Sequence, residues 1–242
     1  MTAPHEFAPG LVVQGPQAAS LPLRLSDFKL IAFDMDSTLI NIECIDEIAD
    51  AVGKKAEVAA ITEAAMRGEL PDFKTSLRRR VALLKGVHRS DLQRVLDERL
   101  RLNPGAVELL QACHAAGLTS VLVSGGFTFF ANVVQQRLNM HFMRSNELAF
   151  DKDRLTGEVM AQDWGDICDG EEKRRTLLQQ CQVKGCLPEQ AIAVGDGAND
   201  IPMMQASGLS VAYHAKPKVR AQATVCIDQG GLDRLLEVLL PG

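Results

Sequence analysis

The stretch Leu30-Ile31-Ala32-Phe33-Asp34-Met35-Asp36-Ser37-Thr38 joins four apolar residues to a pair of carboxylates. The apolar run predicts a short buried strand, and the two aspartates follow at its carboxyl end. On an extended segment, alternate side chains point to the same side. Two carboxylates placed so close together raise the pKa of one of them strongly, unless a cation or a donated proton relieves the repulsion. The stretch therefore predicts a site built around concentrated negative charge.

The composition is typical of an ordinary globular protein, with 242 residues, 46% hydrophobic and 24% charged. That length suits one domain, or one domain with an insertion. The net charge of −5 disfavours a nucleic acid as the main partner. No apolar run approaches the ~20 residues that span a bilayer, and the N-terminus lacks a secretory pattern. Six cysteines show no metal-ligand spacing, so we expect reduced thiols in a cytoplasmic protein.

From Lys29 onward the chain repeats a short apolar strand, a polar or glycine turn, and a helix. This alternation predicts an α/β fold with a doubly wound, Rossmann-like, mostly parallel sheet. Ligands of such sheets bind beyond the carboxyl ends of the strands. Asp34, Ser124 and Asp196 each follow a separate predicted strand, so we expect them to converge. The predicted strands are residues 30–33, 119–123, 191–194, 209–212 and 224–227, with a possible edge strand at 11–13.

About 60 residues of helical character, without a convincing strand, separate the first core strand from Asn103-Pro104-Gly105. That much helix exceeds an ordinary crossover between parallel strands. It predicts a small helical cap, residues 42–102, inserted over the ligand end of a core formed by residues 29–41 and 103–242. Residues 1–28 are rich in proline and glycine and predict an irregular lead-in, while residues 145–165 predict a hairpin.

Three further segments carry residue types suited to phosphate chemistry. Ser124-Gly125-Gly126 follows a strand and offers a hydroxyl and backbone N–H groups to an anion. Gly195-Asp196-Gly197-Ala198-Asn199-Asp200 follows another strand, and Lys173 begins a basic helical run. Taken singly, these are a flexible turn, a turn signal and a solvated lysine. Together with the aspartate pair they are far more specific.

Two more segments, Ile42-Glu43-Cys44-Ile45-Asp46-Glu47-Ile48-Ala49 and Leu77-Arg78-Arg79-Arg80-Val81, complete a recognisable pattern. With them the chain resembles the phosphoserine phosphatase family of the haloacid dehalogenase (HAD) superfamily over residues 29 to 230. The resemblance implies an α/β HAD core with an inserted helical cap. It also implies Mg²⁺-dependent hydrolysis of O-phospho-L-serine to serine and phosphate, through an aspartyl-phosphate, as the last step of serine biosynthesis.

The resemblance also implies catalytic roles. Asp34 would be the nucleophile that attacks phosphorus, and Asp36 would protonate the leaving serine oxygen and then activate water. Asp34, Asp196 and the backbone carbonyl of Asp36 would hold the metal, an all-oxygen set that favours Mg²⁺ over Zn²⁺. Lys173 would neutralise charge on the phosphoryl group, and Asp200 would support the metal and Lys173.

Substrate selection is expected from the cap. Glu43 matches the family carboxylate that binds the substrate's ammonium, and Arg80 matches the residue that binds its carboxylate. Met66 and Phe73 would supply an apolar wall, although plain core packing explains Met66 almost as well. Phe73 and Arg80 share one face if residues 72–84 form a single helix. The remaining predicted substrate contacts are Ser124, Gly125 and Asn199.

Other functions fit the same motifs. A phosphotransferase that passes the phosphoryl group to homoserine, or a phosphatase for another small phosphomonoester, would need every catalytic element named above. A regulatory binding module would keep the fold without turnover, and the complete set of Asp34, Asp36, Lys173 and Asp196 argues against it. Arg78, Arg79 and Arg80 include at least one residue expected on a solvated face. The oligomeric state stays open.

Overall fold

The structure of this protein is a computed structural model that describes residues 3–240, apart from the side chains of Gln17, Ala19 and Met66. Its strands are β1 (His5–Ala8), β2 (Leu11–Val13), β3 (Leu23–Arg24), β4 (Leu30–Phe33), β5 (Thr119–Phe127), β6 (Phe142–Asp151), β7 (Arg154–Met160), β8 (Ala191–Gly195), β9 (Leu209–Tyr213), β10 (Val225–Ile227) and β11 (Leu239–Leu240). Its α-helices are α1 (Cys44–Ala51), α2 (Lys55–Met66), α3 (Phe73–Leu83), α4 (Arg89–Glu98), α5 (Ala106–Ala115), α6 (Thr128–Arg137), α7 (Gly170–Lys184), α8 (Ile201–Ala206) and α9 (Pro217–Arg220).

One sheet carries nine strands in the order β1-β2-β10-β9-β8-β4-β5-β6-β7. The strands from β10 to β6 in this order run parallel, and the flanking pairs with β2 and β7 are antiparallel. The chain leaves β4 toward β5 and β6 on one side, and later builds β8, β9 and β10 on the other. The predicted doubly wound sheet is therefore confirmed, and its topological switch point lies at β4.

The four residues of β4 are completely buried because both faces of the sheet are covered. Ile31 and Phe33 belong to the larger hydrophobic core, while Leu30 and Ala32 belong to the core on the opposite face. A parallel strand covered on both sides is expected to be apolar throughout. The continuous apolar run of residues 30–33 thus forms an interior strand of the sheet.

The segment between β4 and α5 contains the four helices α1–α4, as its sequence predicts. Helix α3 begins after Asp72, whose carboxylate accepts a hydrogen bond from the Thr75 backbone N–H at 2.6 Å. Phe73 and Arg80 consequently lie two turns apart on one helix, as expected. The division into a cap of residues 42–102 and a core stays a prediction.

Three local features differ from the sequence predictions. Residues 5–13, expected to be irregular except for 11–13, form β1 and β2 and extend the sheet beyond β10. Strand β5 continues through Phe127, where a turn was predicted, because Phe127 pairs with Asn146 of β6. Helix α7 begins at Gly170 rather than at Lys173. The predicted hairpin is confirmed by the antiparallel pair β6–β7.

Among residues 3–240, none of the helices combines the length and the apolar character that crossing a membrane requires.

Gly208, directly before β9, packs closely against the backbone of Glu189. A Cβ at this position would lie 1.8 Å from the backbone carbonyl oxygen of Glu189. We expect Gly208→Ala to lower the free energy of unfolding by about 3 kcal/mol, because backbone must shift to admit the methyl group. Gly117→Ala is the control: its φ is 81° and no described atom lies within 4 Å of the added Cβ, so its cost is about 1 kcal/mol. Equal losses in chemical denaturation would contradict the packing argument.

Candidate active site

Strand β4 places Asp34 at the centre of the carboxyl edge of the sheet. The backbone N–H of Asp34 donates to the Val194 carbonyl at 3.0 Å, which continues the pairing between β4 and β8. The chain then turns over Met35–Leu39, where Ser37 has a φ of 56°. A serine adopts this left-handed conformation at an energetic cost, and such residues concentrate at functional sites. The turn brings the Asp36 carboxyl back into the protein beside α1.

Lys173 is a fully buried cation that joins Asp34 to Asp200. Its Nζ lies 2.7 Å from Oδ1 of each aspartate, and its side chain has 0% exposure. Burial alone lowers the pKa of a lysine, but Asp200 and Asp34 raise the pKa of Lys173 above its usual range. Lys173 is therefore charged at neutral pH and places positive charge beside Asp34.

One lysine does not neutralise the acidic groups around it. Carboxylate oxygens of Asp34, Asp196 and Asp200 lie within 4.8 Å of one another. Burial, Asp200 and Asp196 hold the pKa of Asp34 well above its usual range, although Lys173 opposes them. Burial, followed by Asp200 and Glu43, raises the pKa of Asp196 to about 7. These carboxylates need a further cation if they are to be ionised together at neutral pH.

Both carboxylate oxygens of Asp200 accept hydrogen bonds from the protein. Its Oδ1 accepts from Lys173, while its Oδ2 accepts from the backbone N–H groups of Asp196 and Gly197 at 3.1 and 3.0 Å. Gly195 makes room for this carboxyl, because a Cβ there would lie 2.3 Å from Asp200 Cγ. Asp34 and Asp196 keep carboxylate oxygens for a metal. Asp200 instead stabilises the backbone of Asp196 and Gly197 through these hydrogen bonds.

A hard divalent cation fits this group of side chains. The donors are carboxylate oxygens, which Mg²⁺ and Ca²⁺ prefer, whereas Zn²⁺ prefers sites with nitrogen or sulfur. Thr38 donates to Oδ1 of Asp196 at 3.2 Å and orients that carboxylate. The excess of buried acidic groups over Lys173 also calls for added positive charge. We therefore assign this cluster as the candidate metal site.

The end of β5 lies beside Asp34 and presents the predicted phosphate-binding groups. The Gly126 backbone N–H donates to Ser124 Oγ at 2.8 Å. Asn146, which the sequence analysis did not single out, donates from Nδ2 to the Gly125 carbonyl at 2.8 Å and accepts from the Cys168 N–H at 2.7 Å. Asn146 is fully buried. Asn146 therefore joins the end of β5 to the segment that leads into α7. No local sequence motif reveals this tertiary contact.

Asp36 lies between the sheet edge and the first turn of α1. Its Oδ2 accepts from the Cys44 backbone N–H at 3.0 Å, and its Oδ1 accepts from the Cys44 thiol at 3.2 Å. Burial and the neighbouring Glu43 raise the pKa of Asp36 to about 7. Such a group can both hold and release a proton near neutral pH. Cys44 was not predicted as part of the site.

The structure brings most of the predicted cap residues to the site. Glu43 accepts a hydrogen bond from Ser37 Oγ at 2.7 Å. Phe73 reaches Gly125, where an added Cβ would lie 3.0 Å from Phe73 Cζ. Arg80 is partly buried, and its Nε has no hydrogen-bond partner among the described residues.

Asn199 lies over Gly197, with Oδ1 2.4 Å from a Cβ built there. The Met66 side chain lies outside the described residues.

Sequence reasoning missed the contacts between α3 and the loop before α7. Lys74 Nζ lies 2.8 Å from Asp166 Oδ1, and Arg78 pairs with Oδ2 of the same carboxylate at 2.5 Å. Arg78 is therefore part of a bridge between distant segments, and the neighbouring Arg79 is exposed. The basic run was a visible signal, but its acidic partner lies almost 90 positions away in the sequence.

Comparisons with known proteins agree with this geometry. The family model for haloacid dehalogenase-like hydrolases matches residues 31–205. The chain is 63% identical over 238 residues to a phosphoserine phosphatase of Albidiferax ferrireducens, covering 98% of this chain and 99% of that protein. It is 64% identical over 236 residues to a phosphoserine phosphatase of a Polaromonas species, with the same coverage.

Solved structures of phosphoserine phosphatases are also similar to this chain. A phospho-aspartyl intermediate analogue of phosphoserine phosphatase has a TM-score of 0.80 at 37% identity, covering 88% of this chain and 99% of that one. A substrate-bound phosphoserine phosphatase complex has a TM-score of 0.80 at 36% identity, covering 88% of this chain and 98% of that one.

The raised pKa values predict that Mg²⁺ stabilises the fold in a pH-dependent way. With a folded pKa of about 7 for Asp196 against 3.8 ordinarily, and with the pKa of Asp34 also raised, the metal-free folded state holds protons that the unfolded chain has released. Between about pH 4 and pH 7 these groups therefore destabilise the metal-free protein as pH rises. Mg²⁺ binds the deprotonated carboxylates. At about 100 times its Kd it should add about 2.7 kcal/mol, or roughly 5–10 °C in Tm, at pH 8 and far less at pH 5.

Thermal denaturation with and without Mg²⁺ at the two pH values measures this effect. Asp196→Asn should remove most of the Mg²⁺ shift, while Asp163→Asn, which changes an exposed aspartate, should retain it. An equal Mg²⁺ shift at pH 5 and pH 8, or an unchanged shift in Asp196→Asn, would contradict the proposed metal site.

Proposed function

The chain belongs to the haloacid dehalogenase-like hydrolase family, and we propose that it hydrolyses O-phospho-L-serine to L-serine and phosphate. One observation carries the proposal: a buried nucleophilic carboxylate, Asp34, is paired with Lys173 and is followed two residues later by a proton-transfer group, Asp36, in a chain that matches phosphoserine phosphatases over nearly its whole length. An enzyme is favoured over a binding module because every catalytic group is present.

Asp34 begins the reaction by attacking phosphorus. Its Oδ forms a bond to phosphorus while the bond between phosphorus and the serine oxygen breaks, which leaves an aspartyl-phosphate. Lys173 lies 2.7 Å from Asp34 Oδ1 and stabilises charge that develops on the transferring group. The Ser124 hydroxyl and the backbone N–H groups of the same loop orient the phosphoryl oxygens. Gly125 and Asn199 complete this proposed set of contacts.

Asp36 moves the protons. As the serine oxygen leaves, Asp36 transfers a proton to it, and the resulting carboxylate then takes a proton from the water that attacks the aspartyl-phosphate. A pKa of about 7 suits a group that must both give and accept a proton near neutral pH. Phosphate is released and Asp34 is restored as a carboxylate.

Mg²⁺ is the proposed cofactor, and Asp34, Asp196 and the backbone carbonyl of Asp36 would hold it. Bound there, it would neutralise the carboxylates and supply Lewis-acid stabilisation of the phosphoryl group. The donor set and the raised pKa values of Asp34 and Asp196 support this assignment.

The cap residues suit a zwitterionic substrate. Glu43 would accept hydrogen bonds from the substrate's ammonium, and the Nε of Arg80, which has no partner within the described part of the chain, would donate to its carboxylate. Phe73, close to Gly125, would exclude water from the reacting phosphate, and Met66 is proposed to assist. We place the reaction in the cytoplasm, as the final step of serine biosynthesis.

Asp34→Asn tests covalent catalysis. The amide has nearly the same shape but is a poor nucleophile, so phosphate release should fall by at least about 1,000-fold while circular dichroism stays unchanged. Mass spectrometry of acid-quenched wild-type protein should place a phosphoryl group on the peptide that contains Asp34. Asp97→Asn, which alters an exposed aspartate of α4, is the matched control. Substantial turnover by Asp34→Asn would exclude the mechanism.

Substrate choice by Glu43 and Arg80 can be measured as a ratio of kcat/KM values. Losing one charged partner of a buried group costs about 2–5 kcal/mol, or roughly 30- to 5,000-fold in kcat/KM. Arg80→Ala should therefore reduce the preference for phosphoserine over phosphoethanolamine, which lacks the carboxylate. Glu43→Gln should reduce the preference over phospholactate, which lacks the ammonium.

Arg79→Ala is the control for these two variants, because Arg79 lies on the same helix as Arg80 but is exposed. Its substrate preference should equal that of the wild type. Unchanged ratios in both Arg80→Ala and Glu43→Gln would reduce the proposal to a phosphatase for an unspecified small phosphomonoester.

A further inference from the structure

Cys44 supplies a hydrogen-bond donor to each oxygen of the Asp36 carboxyl. It is the first residue of α1 and has 0% exposure. Its backbone N–H donates to Oδ2 at 3.0 Å and its thiol donates to Oδ1 at 3.2 Å. The backbone bond persists whatever side chain occupies position 44, whereas the bond to Oδ1 depends on the thiol.

The two oxygens of Asp36 have different surroundings. A Cβ built on Gly126 would lie 3.0 Å from Ser124 Oγ and 3.3 Å from Asp36 Oδ1. Oδ1 is therefore the oxygen beside Ser124 and Gly126 at the end of β5, while Oδ2 is held by the backbone at the start of α1. The thiol contacts the oxygen on the side of Ser124 and Gly126.

We propose that Cys44 is a positioning residue for proton transfer, whose thiol fixes the rotation of the Asp36 carboxyl so that Oδ1 faces the leaving oxygen. The inference rests on the proposed function. In the first step the proton passes from Asp36 to the serine oxygen, as the bond from that oxygen to phosphorus breaks and the Asp34–phosphorus bond forms. The carboxylate left behind accepts both Cys44 donors and is held in place to take a proton from water.

An uncharged hydrogen-bond donor suits position 44 because an acidic residue, Glu43, lies next to it. Burial and the neighbouring Glu43 both disfavour the ionised form of the Asp36 carboxyl. Without a hydrogen bond at Oδ1, only the backbone bond at Oδ2 would hold the Asp36 carboxyl. The carboxyl could then rotate away from Ser124 and Gly126. A cation in place of the thiol would pair with Glu43 as well as with Asp36, whereas the thiol directs one hydrogen bond to Oδ1 alone.

The test compares two leaving groups. Serine leaves as an alcohol and needs a proton, but p-nitrophenolate leaves without one. In both cases kcat/KM reports the steps up to formation of the aspartyl-phosphate. For Cys44→Ala we expect kcat/KM for phosphoserine to fall about tenfold, the size of effect that the loss of one hydrogen bond to a charged group produces. With p-nitrophenyl phosphate the fall should stay below about twofold.

Cys44→Ser restores a donor and should recover most of the activity on phosphoserine. Cys113→Ala, which removes an equally buried thiol in α5, should leave both substrates at wild-type values. Equal losses on the two substrates, equal activity of Cys44→Ala and Cys44→Ser, or no loss on phosphoserine would each overturn the inference. A wild-type protein that releases no phosphate from phosphoserine would instead overturn the proposed function.

Discussion

The ion pairs of Lys173 with Asp34 and Asp200 are the constraint on which the rest of the site depends. Both distances are 2.7 Å, and the lysine is completely buried. Removing one partner of such a buried pair typically costs about 3–5 kcal/mol, since the remaining charge is left uncompensated. Asp34 directly follows β4, Lys173 lies in α7, and Asp200 lies between β8 and α8. The ion pairs of one lysine therefore hold three segments that are distant in sequence close together.

Around this centre, the protein meets the cost of concentrated negative charge in several ways. Asp200 has both oxygens engaged, and Thr38 orients Asp196. Burial and the remaining negative charge together raise the pKa values of Asp34 and Asp196. The same imbalance that makes the metal-free site unfavourable would favour the binding of a cation, and the oxygen donors would favour a hard one.

The helices between β4 and α5 approach this centre through a few defined contacts. Lys74 and Arg78 of α3 pair with Asp166, which lies just before α7. The turn after α3 also joins the β6–β7 hairpin, where the Gly86 N–H donates to the Leu155 carbonyl at 2.8 Å. These contacts place Phe73 over Gly125. The helical segment that carries the proposed specificity residues is thereby tied to the segment that carries Lys173.

The sequence by itself determined the alternating strands and helices, the helical segment after β4, and the carboxylates and lysine of the site. Those features are local: apolar runs, turn residues and short motifs carry them. It did not reveal Asn146, Asp166 or the thiol of Cys44, and it left residues 5–10 without regular structure. Each of these depends on a partner distant in sequence or on a side-chain direction. Only the tertiary structure decided them, because hydrogen bonds and ion pairs between remote segments leave no periodic pattern along the chain.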